Sequence, residues 1–340
     1  MKAAVFQGTG SIGLKERDLP DTRPGWVRLA VTAGGICGSD LHLFHGKLLP
    51  NKGIQPGHEV TGIVDAVGDN CTIETGTRVA LEPIVGCHHC HFCHAGSANL
   101  CPDTQLFGFA LPGGLAEFVS VPENALHRLP DSLSSKAAAL CEPVAVCVRG
   151  MRIGSIAPGH RVAILGAGSI GLLSILTAKA AGAAEVLITA RYPHQQELAR
   201  ALGADRVFDS AEKLLAEVGD QHVDVVLETV GGAASTISEA VQIARTGGRL
   251  VMLGVFDTDP TLPGFMFFQK ELTLAASNCY GRENTSVGDF ALGTSIVCEQ
   301  ADLLEELVTH SFSLDEVAKA FATADDKSTR SIKVQIVNAG

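Results

Sequence analysis

The rhythm of apolar positions changes twice along the chain. From Met1 to about Val121, apolar and polar residues alternate in short runs between Gly and Pro turns, as in Trp26-Val27-Arg28-Leu29-Ala30-Val31 and Val60-Thr61-Gly62-Ile63-Val64. A period of two bounded by turn residues predicts short strands with one buried face, the texture of an antiparallel β domain. From about Val144 to Asn278, near-continuous apolar runs such as Val223–Leu227 and Arg249–Leu253 alternate with Ala- and Leu-rich stretches of helical length. Strands buried on both faces and separated by helices predict a doubly wound parallel sheet. In the tail, Ser313-Leu314-Asp315-Glu316 fits a capping box opening a short helix through about Ala324, and Ile332–Val337 reads as a last strand.

The most informative stretch is Val162-Ala163-Ile164-Leu165-Gly166-Ala167-Gly168-Ser169-Ile170-Gly171. An apolar strand runs into Gly-x-Gly-x-x-Gly, a helical segment follows to Ala181, and a second strand spans Glu185 to Ala190. In such a βαβ unit Gly166 permits the sharp turn, Gly168 lets a pyrophosphate approach the backbone, and Gly171 lets helix and strand pack closely. The N–H groups at the helix start, at Ser169 and Ile170, would hold the phosphates.

Bulk properties narrow the function classes. A chain of 340 residues suits two domains, and a formal charge of -11 argues against a nucleic-acid or anionic-membrane partner. The apolar run from Val162 to Ala190 is punctuated by glycines and broken by Lys179 and Glu185, so a buried βαβ unit explains it better than a membrane span. Met1-Lys2-Ala3-Ala4-Val5-Phe6 reads as a strand and lacks the apolar core of a signal peptide, which places the expected location in the cytoplasm. In that reducing compartment the 10 cysteines point to metal or structural thiols.

Cys87, Cys90, Cys93 and Cys101 follow a Cys-x2-Cys-x2-Cys-x7-Cys spacing. Four thiolates this close can surround one tetrahedral Zn²⁺, and a closed shell makes the site structural. An Fe–S cluster is the other cofactor reading, but nothing else in the sequence suggests electron transfer. His88, His89, His91 and His94 share the loop and read as surface residues. A more dispersed group combines Cys37 with Gly57-His58-Glu59, a mixed thiolate, imidazole and carboxylate set on turns flanked by glycines.

Together, Gly35-x-Cys37-Gly38-Ser39-Asp40-x-His42, Gly57-His58-Glu59-x-x-Gly62, the four-cysteine lobe, Glu142-Pro143 and the turn at Gly166 resemble the zinc-containing medium-chain dehydrogenase/reductase family, the alcohol dehydrogenase superfamily. The match runs essentially the full length. It implies a GroES-like, mainly β catalytic domain over residues 1–143 with a structural zinc lobe at about 86–101. A Rossmann domain over 144–278 and a segment, 279–340, returning to the catalytic domain complete the implied organisation, with the active site in the cleft. By that resemblance Cys37 and His58 bind a catalytic zinc, and Glu59 is a ligand exchangeable with water or substrate. Glu142 falls where many members place a cysteine ligand. A Glu-Pro there is similar to the polyol, sugar and threonine dehydrogenase branches, and it binds zinc directly or through water; Cys141 is its rival. Ser39 is implied to take the alcohol proton and His42 to stand at the surface end of the relay. Cys71, Cys147, Cys279 and Cys298 have no matching role. The family further suggests a homodimer or homotetramer, with the Rossmann sheet edge as an interface, acting on a small-molecule alcohol or carbonyl.

The cofactor reading departs from the common pattern. The second strand of a βαβ unit usually ends in an acid that binds the adenosine ribose in NAD-dependent enzymes. Here Leu187-Ile188-Thr189-Ala190-Arg191 puts Ala190 at that place, followed by a guanidinium able to bind a 2′-phosphate. NADP(H) is therefore expected over NAD(H). Three other functions compete. A zinc-independent quinone or enoyl reductase would lack the metal ligands, and a non-catalytic zinc protein binding nucleotide would not need Ser39 and His42. A methyltransferase would not need the Cys37, His58 and Glu59 set.

Overall fold

The period-two runs form the sheet that carries the metal-ligand candidates. Trp26–Ile36 alternates half-buried and buried residues down its first half, with Val27, Leu29 and Val31 facing the core. This computed structural model describes residues 1–47, 49–219, 223–282 and 285–338. It divides into two units, Met1–Glu142 with Gly281–Gly340, and Pro143–Tyr280.

In the first unit a seven-stranded sheet has the order Val308–Phe312, Lys333–Val337, Trp26–Ile36, Glu59–Val67, Arg78–Leu81 and Leu126–Arg128, with Phe118–Pro122 also paired to Trp26–Ile36. All pairings are antiparallel except the one between Val308–Phe312 and Lys333–Val337. The domain is thus mixed where sequence alternation alone implied antiparallel pairing. The parallel partner comes from the tail, after the Leu314–Glu316 turn and the Val317–Asp325 helix have reversed the chain. The Ser313 capping box is present, its Glu316 side chain accepting from the Ser313 N–H. The core beneath gathers Phe6, Phe44 and Phe321, with Phe6 and Phe321 edge to face at 5.6 Å. Strand register sets the neighbours of Glu59. Gly35 lies opposite Glu59 on one side and Gln335 on the other, so the middle strand brings chain ends far apart in sequence to one place.

The second unit is a six-stranded, wholly parallel sheet ordered Arg206–Phe208, Glu185–Thr189, Arg161–Leu165, Val223–Glu228, Ala244–Met252 and Thr273–Ala276. This is the 3-2-1-4-5-6 order of the Rossmann fold, whose switch point lies between the first and fourth strands. Val162, Ala163, Ile164 and Leu165 are inaccessible to solvent, as the unbroken apolar run requires. Among the described residues no helix is long and apolar enough to cross a membrane.

Candidate metal and nucleotide sites

Cys37 directly follows the long Trp26–Ile36 strand and is the N-cap of a seven-residue helix, Gly38–Phe44. Sequence reading put this group on turns; a helix forms because Asp40, its third residue, accepts the Cys37 backbone N–H at 2.9 Å. The same buried carboxylate stands 3.6 Å from His58 Nδ1, an ion-pair distance, while His58 Nε2 lies 3.3 Å from Ser39 Oγ. The carboxylate behind Nδ1 leaves Nε2 as the nitrogen free to bind a metal. Burial pulls the His58 pKa down, but Asp40 and Cys37 outweigh it and hold it well above its ordinary value. The ligand atoms of Cys37, His58 and Glu59 all lie within 4.8 Å of one another.

Glu59 is seated by a neighbour without a side chain. A Cβ at Gly35 would stand 1.8 Å from Glu59 Oε2, so the strand can pass over the carboxylate only as glycine. Both Glu59 oxygens accept from Lys333 Nζ, at 2.6 and 2.8 Å, with the lysine 2% and the glutamate 0% exposed. Burial would lower the Lys333 pKa, yet Glu59, Cys37 and Glu142 raise it above its ordinary value. Asp40, Cys37, Glu59 and Glu142 thus face one lysine and one imidazole. That excess of anionic donors in a buried place fits a bound dication.

The four-cysteine lobe is local. Cys87, Cys90, Cys93 and Cys101 bring their sulfurs within 4.8 Å of one another, and Cys87 and Cys93 are 3.9 Å apart. Tetrahedral zinc with bonds of about 2.3 Å needs sulfurs about 3.8 Å apart. Backbone N–H groups of Cys87 and Cys93 approach the Cys101 and Cys90 sulfurs, each at 3.4 Å. The His89 backbone N–H pulls Cys87 down to about 6, while burial pushes Cys93 up to about 12. Four sulfurs cannot all carry charge together unaided, which is the repulsion a dication relieves. His88, His89, His91 and His94 are exposed.

In the second unit, Gly166 has φ +100, and a Cβ on Gly171 would stand 2.0 Å from Gly166 O. At Gly168, by contrast, an added Cβ meets nothing within 4 Å. The first and third glycines serve the protein's own packing; the openness over the second suits the approach of a ligand. Gly168 is the N-cap of the Ser169–Ala180 helix and offers no side-chain cap, so the helix that opens at Ser169 and Ile170 presents the dipole end that suits an anion. Thr189 and Thr229 hold the turn from either side, through Gly166 N at 2.9 Å and Leu165 O at 2.8 Å. The second strand stops at Thr189; Ala190 is fully buried and Arg191 exposed.

Comparison with known proteins agrees with this geometry. Residues 23–131 match the alcohol dehydrogenase GroES-like domain and residues 169–291 the zinc-binding dehydrogenase domain. Sorbitol dehydrogenase of Bacillus subtilis is 30% identical over 347 residues, covering 99% of this chain and 97% of that protein. The chain belongs to the zinc-containing alcohol dehydrogenase superfamily. A zinc-binding dehydrogenase of Sinorhizobium meliloti bound to NADP superposes with TM-score 0.90 at 31% identity, over 99% of this chain and 98% of the other. An alcohol dehydrogenase of Escherichia coli complexed with NADH gives TM-score 0.87 at 27% identity, over 99% of each. This dehydrogenase is an oxidoreductase that moves a hydride between a nicotinamide cofactor and an alcohol/carbonyl pair.

Of the residues singled out in sequence, Cys37, His58 and Glu59 converge, with Ser39 beside them and His42 one turn further along the same helix. Glu142, buried in the first turn of the Cys141–Ile153 helix, lies close enough to Lys333 to raise its pKa, but it is not among the three whose ligand atoms cluster. Cys141 turns elsewhere: it lies against Thr294 and Cys298, and burial pushes its thiol up to about 12. Two functional residues escaped sequence reading, Asp40 and Lys333. The signal for Lys333 was present, since Lys333 and Gln335 are polar residues two apart in an apolar strand and so share one buried face.

Proposed function

We propose that this dehydrogenase oxidises a polyol or secondary alcohol, and reduces the matching carbonyl, with NADP(H) and two zinc ions per chain. The observation that carries the proposal is the convergence of Cys37, His58 and Glu59 donor atoms next to the Ser39 hydroxyl. Zinc would be held by Cys37 and His58, with Glu59 as the ligand exchangeable with water or substrate and Glu142 binding directly or through water, and it would supply Lewis-acid polarisation of the substrate oxygen. Ser39 accepts the substrate's hydroxyl proton, and His42, on the same face at i, i+3 and half-exposed, carries it toward solvent. Asp40 holds the His58 ring so that Nε2 faces the metal. Cys87, Cys90, Cys93 and Cys101 form the structural zinc site.

The polyol assignment rests on Glu142-Pro143 and on the likeness to sorbitol dehydrogenase. The choice of NADP(H) rests on Arg191, because solved relatives include both NADP and NADH complexes. No carboxylate at position 190 repels a 2′-phosphate, and the exposed guanidinium next to it can bind one bidentately. Such a contact is worth about 1.5–3 kcal/mol, so Arg191→Ala should weaken NADP(H) roughly ten- to hundredfold and leave NAD(H) nearly unchanged. The test is kcat/KM for both cofactors in both proteins, across a panel of polyols and secondary alcohols. A wild type preferring NAD(H), or an Arg191→Ala variant with unaltered NADP(H) affinity, refutes the cofactor assignment. The exposed edge strand Thr273–Ala276, preceded by Phe265 and Phe268 at 80% and 79% exposure, supports a homo-oligomer, which light scattering measures directly.

A further inference from the structure

We propose that Cys87, His89 and Asp103 form an open loading site through which zinc enters and leaves the four-cysteine lobe. The ligand atoms of these three residues lie within 4.8 Å of one another, the same closeness that the four sulfurs show, and Cys87 belongs to both groups. The inference rests on the reading of the lobe as a zinc site.

The two groups differ in access. His89 and Asp103 are exposed, whereas Cys101, at the back of the lobe, is 4% exposed. Cys93 is wedged against Gly86, where an added Cβ would come 2.6 Å from the sulfur. Cys87, Cys90 and Cys93 are each half-buried, and among the described residues Cys87 is the lobe sulfur grouped with an exposed imidazole and an exposed carboxylate. A closed four-thiolate shell has no vacant position, so a hydrated ion has to exchange its ligands for sulfurs one at a time. The first ligands must be exposed and must leave room for the water the ion still carries. One sulfur, one imidazole nitrogen and one carboxylate oxygen fill three of four tetrahedral positions and keep the fourth for water.

The imidazole is already prepared for this. His89 Nδ1 lies 2.7 Å from the Cys87 carbonyl oxygen, and in the tautomer that donates its N–H there Nε2 is the nitrogen able to bind a metal. A backbone carbonyl behind one ring nitrogen is the usual means of fixing a ligating histidine's tautomer. Cys87 then passes from the mixed set to the sulfur set without leaving the ion, while His89 and Asp103 are replaced by Cys90, Cys93 and Cys101. Each thiol that joins the ion gives up its S–H proton to water or to the departing carboxylate and imidazole, so the exchange releases protons as the sulfur–metal bonds form.

The experiment uses the full-length, zinc-loaded protein, incubated with an excess of an enriched zinc isotope and sampled by native mass spectrometry. The slower exchange phase reports the lobe. His89→Ala should slow that phase roughly tenfold, and Asp103→Asn should slow it too, with zinc content still two per chain. Chelator-driven loss should slow by the same factor, because entry and exit pass through the same site. His94→Ala, an exposed histidine of the same loop outside the group, should exchange at the wild-type rate. Exchange in His89→Ala at the wild-type rate, equal slowing in His94→Ala, or loss of the lobe's zinc from His89→Ala each overturns the loading site. If wild type carries one zinc per chain and all four lobe thiols react with a thiol reagent, the lobe reading itself fails.

Discussion

Replacing Lys333 by Met separates what the buried lysine does for the fold from what it does for the metal site. Its ammonium bonds both Glu59 oxygens in a place where the two side chains are 3% and 0% exposed. Met fills a similar volume but leaves the carboxylate without its cation, and breaking a buried pair from one side costs about 3–5 kcal/mol. With the metal removed by chelator, that full loss is expected. With zinc bound, the abandoned carboxylate has a second cation within reach, and the loss should be smaller by about 1.4 kcal/mol or more, a tenfold change in the unfolding equilibrium. The assay is urea unfolding of the chelated and the zinc-loaded protein, followed by tryptophan fluorescence. The chain has 1 Trp, and Trp26 lies in the sheet that carries Glu59 and Lys333, so the signal reports the right unit. The double variant Lys333→Met with Glu59→Leu should recover most of the loss, since it removes both charges. Because the folded Lys333 pKa is raised, the pair's contribution is present in full below the ordinary lysine value and is lost only as pH rises through the higher folded one. The wild-type-to-variant difference should therefore be flat through neutral pH. Equal losses with and without zinc, or a loss below about 1 kcal/mol, would refute the coupling of Lys333 to the metal through Glu59.

Chelation should remove zinc from the Cys37 and His58 site before the lobe, with activity lost at the first ion; metal analysis against residual turnover checks the order. Glu142→Ala should lose turnover while keeping NADPH binding, and Cys141→Ser should stay active, because Cys141 lies against Thr294 and Cys298; the reverse pattern of metal loss would make Cys141 the ligand. Gly35→Ala should empty the same site with the lobe still loaded, since its Cβ would displace Glu59 Oε2, and a two-zinc variant would contradict this. Asp224 accepts from Arg161 N at 2.8 Å and Arg245 Nε at 2.7 Å, so Asp224→Asn should cost about 1.5–3 kcal/mol at neutral pH. Burial works against it, but those partners hold the Asp224 pKa below its ordinary value. Its stabilisation is therefore present above the ordinary aspartate value and lost as pH falls through the lower folded one, where the two unfolding curves should converge.

Where chemistry was written in contiguous residues, the sequence alone determined it. The nucleotide turn, the parallel strands around it and the four-cysteine lobe each lie within one short stretch, so spacing and period are enough: three glycines in a six-residue turn, four sulfurs in one loop. Cys37, His58 and Glu59 were legible only as motifs, because one by one they are an ordinary cysteine, histidine and glutamate. What tertiary structure decided is how they are held. Asp40 could not be told from any polar residue of a first helical turn until packing put it behind His58. Lys333 stands 274 residues from Glu59, and only the order of three strands, with a glycine at the crossing, brings the two together. The parallel pairing of the tail strands comes from the same order. Sheet register is a long-range choice, and period-two alternation says which face of a strand is buried but not which strand lies beside it.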